Sequence, residues 1–584
     1  MGSFKPPPKP NYLIIVADDL GFSDVSCYGS EIQTPCIDSL AAAGTRFTDF
    51  HSAAACSPTR AMLLTGTDHH LTGLGQMAEF LIDSPIHQGK PGHEGYLNEH
   101  VATLPEVLRA DGGYHTMMAG KWHLGLKPDH SPASRGFDRS FALLPPAANH
   151  YAWEPEIQTG DSLCRFAEVN VSAVHMKDGQ YVNNNTLPAD FYSSNYYTTE
   201  LLRYMDERPR DRPFFAFLPF SAPHWPLQAP PENIKKYRGM YDDGPDALRL
   251  RRIAALQRLG LVPDGVNPHP VQAPEVPEWE EMTPDQRSKS ARAMEAYAGM
   301  VDCMDENIGR VIDYLHENGL YENTEIIFMS DNGAEGYSYE AHPLMGPKVL
   351  DYIGRYYNNA LDNIGNKDSF AWYGGRWAQA ATAPSRLYKK FSTEGGIRVP
   401  FILKPSMDMS YRQSICHEFC TVMDVMPTML EQTGIAKPVG MFGGRKIEKI
   451  MGTSWVPFLT KEAPTPHPED YVAGWELFGQ AALRKGPWKL NFVNKPFGPE
   501  EWQLYNVLED PGEVNDLKEE RNDKLEELMA HWHDYARETG VVGLKPEFAS
   551  LMAQLPDEME NPVNWMKFET SRSVMTRIKK GCRP

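Results

Sequence analysis

Cys56-Ser57-Pro58-Thr59-Arg60 sets a thiol four residues ahead of a guanidinium, and Ala61-Met62-Leu63-Leu64 continues it as a helix-compatible apolar run. If a helix begins near Cys56, both side chains project from one face. The helix N-terminus then adds partial positive charge for an anion. Asp18-Asp19 follows an apolar run, and neighbouring side chains of a strand point to opposite faces. Both carboxylates reach one site only where the strand ends and the chain turns, as Leu20-Gly21 permits. Asp331-Asn332-Gly333 ends another such run; alone it reads as an Asn-Gly turn. Together the two strand ends offer three carboxylates and an amide oxygen, with no thiol or imidazole. Hard donors of this kind suit calcium or magnesium rather than zinc, and an irregular set drawn from loops suits calcium better than magnesium. Basic groups end other runs: Lys121 and His123, on one side of an extended segment at i and i+2, and His224 in Ala222-Pro223-His224-Trp225-Pro226. With Arg60 they make four basic groups in loops beside the acidic ones. His69-His70, read as diverging on a helix, and His417 beside Cys416 and Cys420, read as a hydrogen-bonded core histidine, are set aside.

The elements that must hold these residues are legible in outline. Asn11 to Ala17, Tyr114 to Ala119, Phe214 to Phe220, Glu325 to Ser330 and Arg398 to Leu403 are short apolar runs of the kind that form strands buried on both faces. Helical patterns lie between them, the clearest from about Ser290 to Asn318, closed by Gly319. Strand and helix in alternation predict an α/β fold with a largely parallel sheet flanked by helices, whose ligands gather at the C-terminal ends of the strands. Residues 228–285 are rich in proline and charge and read as a solvated insertion, a rim or a lid, with a short helix near Ala247 to Gly260. Past residue 436 the pattern changes. Tyr471 to Leu477 and Trp488 to Val493 read as antiparallel strands and Glu513 to Thr539 as an exposed helix. The expected division is a catalytic domain over 1–436, a smaller α+β domain over 437–545 and a tail over 546–584.

The chain of 584 residues, 41% hydrophobic and 23% charged, has the composition of a globular protein large enough for two cores. Its net charge of -20 argues against a nucleic-acid partner, which needs clustered lysine and arginine. No run approaches the ~20 apolar residues of a membrane span. The first ten residues lack the apolar core of a secretory leader, so the expectation is a cytoplasmic protein. The eight cysteines, scattered without a close pair, are expected to be reduced. Nothing in the sequence fixes the oligomeric state.

Six motifs in order give the chain a recognisable likeness. They are Ile15-Val-Ala-Asp18-Asp19-Leu-Gly-Phe-Ser-Asp24, Cys56-Ser-Pro-Thr-Arg60, Met118-Ala-Gly-Lys121-Trp-His123-Leu-Gly125, Ala222-Pro-His224-Trp-Pro226, Met329-Ser-Asp331-Asn332-Gly333 and Glu394-Gly-Gly-Ile-Arg-Val-Pro400. With them the chain resembles the formylglycine-dependent type I sulfatases, and among these the bacterial-type arylsulfatases, from about Asn11 to Gly540. The resemblance implies the alkaline phosphatase-like α/β fold with a smaller C-terminal antiparallel sheet. It implies that Asp18, Asp19, Asp331 and Asn332 hold a calcium ion, with residue 56 a further ligand. Cys56 would be oxidised to formylglycine by a formylglycine-generating enzyme. Arg60, Lys121, His123, His224 and Lys389 would surround the sulfate. Lys389 is chosen over Lys390 by its spacing before Glu394-Gly-Gly. Thr59 stands where many relatives have serine.

The implied reaction is hydrolysis of a sulfate ester. One hydroxyl of the hydrated aldehyde attacks sulfur, His224 with Lys389 protonates the departing alcohol or phenol, and His123 takes the proton of the second hydroxyl as sulfate leaves. Three alternatives stand beside it: a phosphodiesterase or phosphonate monoester hydrolase of the same superfamily, a sulfatase-like binding protein without turnover, and a hydrolase using unmodified Cys56.

Overall fold

The computed structural model describes residues 9–81, 84–155, 173–274, 276–336, 352–406 and 414–544. The proposed tail, 546–584, lies outside them. A ten-stranded sheet is built from β1 (Asn11–Ala17), β2 (Thr45–Phe47), β3 (His115–Lys121), β4 (Arg139–Leu143), β5 (His175–Lys177), β6 (Gln180–Tyr181), β7 (Phe214–Pro219), β8 (Thr324–Ser330), β9 (Phe401–Lys404) and β10 (Ile415–Cys416). In space they run β10-β2-β9-β8-β1-β7-β3-β4-β5-β6. The central five, β8 through β4, are parallel. The run from Arg398 to Leu403 forms β9, which lies antiparallel between β8 and β2. At the far edge β5 and β6 are also antiparallel. Every residue of β1, β7 and β8 is buried, which is why their sequences read as continuous rather than alternating apolar runs.

Register turns these strands into a platform. Ala17 pairs with Ser330 and Val16 with Pro219, while Met118 pairs with Phe217. The residues that follow β1, β8 and β7, and those that end β3, therefore leave the sheet at one edge. Asp18, Asp331, His224 and Lys121 are brought there by pairing alone.

Five helices carry or brace the residues at this edge and the small sheet beside it: α1 (Cys56–Thr65), α2 (Ala78–Leu81), α3 (Pro245–Arg258), α4 (Pro284–Glu317) and α5 (Asn522–Thr539). α4 begins before the apolar period does, because Thr283 and Gln286 form a capping box and Pro284 occupies the first turn. The segment 228–285 is not a solvated insertion. α3 buries Leu248 and Leu256 in the main core, and Arg252, 1% exposed, pairs with Asp24 and Glu31. Two of its arginines, Arg249 and Arg252, are internal partners, while most of its other charges face solvent.

β11 (Val472–Leu477), β12 (Gln480–Lys485), β13 (Trp488–Phe492) and β14 (Trp502–Asn506) form an antiparallel sheet in that order. The second and fourth add to the two strands expected from the sequence. α5 packs on one face through Leu528 and Trp532, and it starts later than Glu513, whose buried carboxylate instead accepts from Lys489 Nζ at 2.9 Å. The opposite face presents Ala473, Trp475 and Leu477 to Ala54, Ala55 and Cys56. No helix among the described residues is long and apolar enough to cross a membrane. Of the eight cysteines, the six described are free thiols.

Candidate active site

α1 starts at Cys56, directly after the extended residue Ala55. The Thr59 hydroxyl, one turn in, accepts from Ala53 N at 2.9 Å and so ties the helix start to the chain entering it. Arg60 projects to the sheet edge, where Nε and a terminal nitrogen donate to Asp331 Oδ2 at 2.9 and 2.6 Å and the other terminal nitrogen donates to the Lys121 carbonyl at 2.8 Å. The guanidinium also lies 3.7 Å from Asp18 Oδ1.

Asp18 and Asp19 both enter this site because Asp19 adopts φ +68, a left-handed turn at the end of β1. Such strain persists where surrounding contacts enforce it. The Asp19 amide donates to Asp331 Oδ1 at 3.2 Å, and the Leu20 amide to Ser330 Oγ at 3.0 Å. Each carboxylate then meets its own cation. Lys121 Nζ lies 2.6 and 2.9 Å from the two oxygens of Asp18. Lys389 Nζ lies 2.9 Å from Asp19 and 3.0 Å from Glu335. Lys390 instead turns its ammonium toward the Phe391 ring, at 5.3 Å.

Asn332 carries the clearest mark of a missing partner. Its Nδ2 donates to Asp19 Oδ1 and to the Gly333 carbonyl, both at 2.8 Å, while its buried Oδ1 has no hydrogen-bond partner. A buried acceptor left this way is costly unless something fills it. Asp18, Asp19 and His224 offer ligand atoms within 4.8 Å of one another, and Asp331 is one hydrogen bond away. The oxygens of Asp18, Asp19, Asp331 and Asn332 fit a hard divalent cation.

Electrostatics separate the two flanking carboxylates. Burial, reinforced by Asp331 and Asp19, raises the pKa of Asp18 well above the usual carboxylate range despite Lys121 and Arg60. Burial acts on Asp331 in the same sense, but there Arg60 and Lys121 outweigh it and hold the carboxyl low. A cation at this edge would add to the positive charge that Lys121 and Arg60 already bring to Asp18.

His123 and His224 flank residue 56 and Asp19 respectively. His123, at φ +56 after β3, sets Nδ1 3.2 Å from Cys56 Sγ and Nε2 3.1 Å from Glu79 Oε1. Burial, helped by Lys121 and Arg60 and opposed by Glu79, lowers the pKa of His123. Burial also pushes the Cys56 thiol up, against the pull of Lys121 and Lys389. A thiolate nucleophile is therefore disfavoured. His224 donates from Nδ1 to the Trp225 carbonyl at 2.7 Å and turns Nε2 toward Asp19 Oδ2 at 3.4 Å. Burial and then Lys389 and Lys121 hold it well below its ordinary value. Lys389 moves the opposite way: burial lowers it, but Asp19 and Glu335 prevail and keep it protonated.

All the chemically promising residues of the sequence thus converge on one sheet edge. Glu79 and Glu335 join them unannounced. The three dismissed histidines behave differently from expectation. His69 and His70 do not diverge: their rings lie 4.0 Å apart, and His70 bonds to Asp68 at 2.8 Å and to Glu476 at 3.0 Å. Both His70 nitrogens are thereby occupied, which explains the cluster without a metal. His417 is exposed rather than in the core, bonded to the Thr48 hydroxyl at 2.9 Å, because it sits in the turn after β10.

Comparison with known proteins points to one family. A family model described as Sulfatase matches residues 10–435. An uncharacterized sulfatase of Schizosaccharomyces pombe is 49% identical over 543 residues, covering 93% of this chain and 96% of that protein. An arylsulfatase of Klebsiella aerogenes is 36% identical over 432 residues, covering 73% and 87%. Among solved structures, Ps i-CgsB in complex with k-i-k-neocarrahexaose superposes with a TM-score of 0.61 at 23% identity, covering 98% of this chain and 99% of that one. The PsFucS1 sulfatase from Pseudoalteromonas sp. gives 0.54 at 19% identity, covering 92% of each chain. At such identities the structural likeness speaks for the fold alone.

Proposed function

The chain belongs to the sulfatase family, with its alkaline phosphatase-like fold and its hydrolysis of sulfuric esters, and on that footing we propose that it is a formylglycine- and calcium-dependent arylsulfatase. The observation that carries this reading is the convergence of Cys56, in its Cys-x-Pro-x-Arg sequence, with Arg60, Lys121, Lys389, two histidines and an all-oxygen donor set. Asp18, Asp19, Asp331 and Asn332, with residue 56, would hold the calcium ion, which supplies Lewis-acid charge beside the sulfate oxygens. Formylglycine made from Cys56 by a formylglycine-generating enzyme supplies, once hydrated, one hydroxyl to attack sulfur and a second whose proton loss later releases sulfate.

The chain's own residues do the rest. Arg60, Lys121 and Lys389 hold the sulfate monoester and offset the charge on its oxygens in the transition state. Lys389, which keeps its proton, shares Asp19 with His224, so the two form the leaving-group side. Lys389 supplies the positive charge and the proton, which the bare Nε2 of His224, whose own hydrogen is held on Nδ1 by the Trp225 carbonyl, relays to the departing oxygen. His123 Nδ1 faces residue 56 and takes up the proton of the second hydroxyl. The aryl preference draws on the wall beside His224: Trp225 lies 5.4 Å from Trp372 and 6.0 Å from Phe370 between ring centroids. Flat aromatic walls favour a flat leaving group.

The test pairs mass spectrometry of the peptide carrying residue 56 with turnover of an aryl sulfate. An aldehyde in active protein and near-complete loss of turnover in Cys56→Ser are expected. Unmodified Cys56 in fully active protein would falsify the aldehyde mechanism. Faster turnover of a phosphate diester or phosphonate than of the sulfate would replace the arylsulfatase assignment.

A further inference from the structure

We propose that Glu79 is a positioning residue for sulfate release, holding His123 in the tautomer that presents a bare Nδ1 to residue 56. The inference rests on the formylglycine reading and deepens it. Glu79 lies on α2, outside every motif that marks the site, and reaches His123 across 44 positions of sequence.

The geometry leaves little freedom. His123 makes two polar contacts, Nε2 to Glu79 Oε1 at 3.1 Å and Nδ1 to Cys56 Sγ at 3.2 Å. At 3.1 Å Glu79 Oε1 is within hydrogen-bonding reach of Nε2, and as a carboxylate it is the acceptor there. An ionised carboxylate can only accept, so Nε2 must carry the proton. A neutral imidazole with its proton on Nε2 has its lone pair on Nδ1, the atom facing residue 56. Without Glu79 the ring can place its proton on Nδ1 and lose its basic atom toward the reaction. His123 is buried and the Glu79 side chain is 9% exposed, so water does not readily replace the carboxylate.

In the release step the covalent intermediate is a hemiacetal-like carbon bearing one hydroxyl and one sulfate ester. The hydroxyl proton moves to His123 Nδ1, and the O–H electron pair becomes the second bond of the aldehyde. The carbon–oxygen bond to sulfate breaks, its electron pair leaving on sulfate. No oxidant or further reactant is needed. Glu79 then faces an imidazolium and stabilises it, the same division of labour as carboxylate, histidine and reacting hydroxyl in hydrolytic triads.

A residue that merely supported the fold would weaken binding or expression without stalling one chemical step. The test is therefore intact-protein mass spectrometry of Glu79→Ala, with aryl sulfate in excess, beside steady-state kinetics. Expected are an aldehyde in the resting variant, accumulation of a species heavier by one sulfate on residue 56, a kcat lower by about 100-fold or more, and a KM unchanged or lower. Glu79→Gln, whose amide oxygen still accepts from Nε2 but carries no charge, should retain more activity than alanine and accumulate less intermediate. It also serves should the alanine variant fail to fold. Loss of activity without the sulfated species, or wild-type kcat in either variant, overturns the role of Glu79 while leaving the formylglycine reading intact. Active wild-type protein with unmodified Cys56 overturns both.

Discussion

Each carboxylate of the site meets a cation of its own: Asp18 has Lys121, Asp331 has Arg60 and Asp19 has Lys389. Among the four residues that offer oxygens to the metal, Asn332 alone has an oxygen, Oδ1, without a hydrogen-bond partner, and a buried acceptor in that state costs about 1–3 kcal/mol. Calcium should therefore bind the folded chain and not the unfolded one. In protein stripped by a chelator, calcium at a hundred times its dissociation constant should stabilise the fold by about 2.7 kcal/mol. Asn332→Ala should weaken calcium affinity about tenfold or more, since a charge-assisted contact contributes roughly 1.5–3 kcal/mol, and so cut that response to about half or less at the same calcium concentration. Thermal melting against calcium concentration reads this without any assay of turnover. Melting curves indifferent to calcium, or an unchanged response in the variant, would remove the metal from the site.

The elements bring these residues together by backbone fit at three glycines. An ideal Cβ on Gly333 would sit 1.9 Å from the Gly395 carbonyl, and one on Gly395 would sit 2.0 Å from the Leu387 carbonyl, with Gly396 equally close to Phe391. Backbone thus packs on backbone from the end of β8 through Glu394-Gly-Gly to the loop bearing Lys389. Gly333→Ala should destabilise the fold by about 1–3 kcal/mol through overpacking, and should lower turnover by shifting Lys389 from Asp19. Gly354→Ala, whose Cβ meets nothing within 4 Å on an exposed helical turn, is the control and should be neutral or slightly stabilising by the same denaturation midpoint. Equal effects at both positions would contradict this account. The sequence makes the strands and their ends legible because burial on both faces leaves continuous apolar runs, and pairing in register then carries Asp18, Lys121, His224 and Asp331 to one edge. It is silent about Glu79, which sits in a four-residue helix without period and meets its partner only through tertiary packing. β12 gives no signal either, since Gln480-Ala-Ala-Leu-Arg-Lys485 lacks the β-branched residues that mark a strand. Lys389 and Lys390 are adjacent and chemically alike, and the left-handed φ of Leu387 and Lys390 decides which one turns inward.

At the scale of the whole molecule, the small sheet is bound to the catalytic part by buried charge. Lys489 Nζ reaches Glu394 at 2.6 Å, Trp475 donates to the Ser52 carbonyl at 2.9 Å, and His70 bridges Asp68 and Glu476. Tyr535 on α5 donates to the other oxygen of Asp68, so one histidine cluster joins the end of α1, β11 and α5. The groups facing His70 are Asp68, Glu476, Tyr535, His69, His87 and His93. Burial would lower the pKa of His70, but Asp68 and Glu476 prevail and raise it to about 9. Unfolded, it returns to about 6.5. Below 6.5 both states hold the proton and the bridge contributes fully. Between about 6.5 and 9 only the folded state holds it, so stability falls as pH rises, and above 9 the contribution is gone. His69 and His93 run the other way: burial lowers each to about 4, so the unfolded state takes up more protons below 6.5 and stability falls as pH drops toward 4. Stability should therefore be greatest near pH 6.5. The difference of folded and unfolded values puts the alkaline limb on the order of 3 kcal/mol. His70→Gln should lower the urea midpoint at pH 6.5 and flatten the fall between pH 6.5 and 9, leaving the acid limb in place. A variant that loses stability across that alkaline interval as steeply as the wild type would show that the bridge does not bind the two sheets together through its charge.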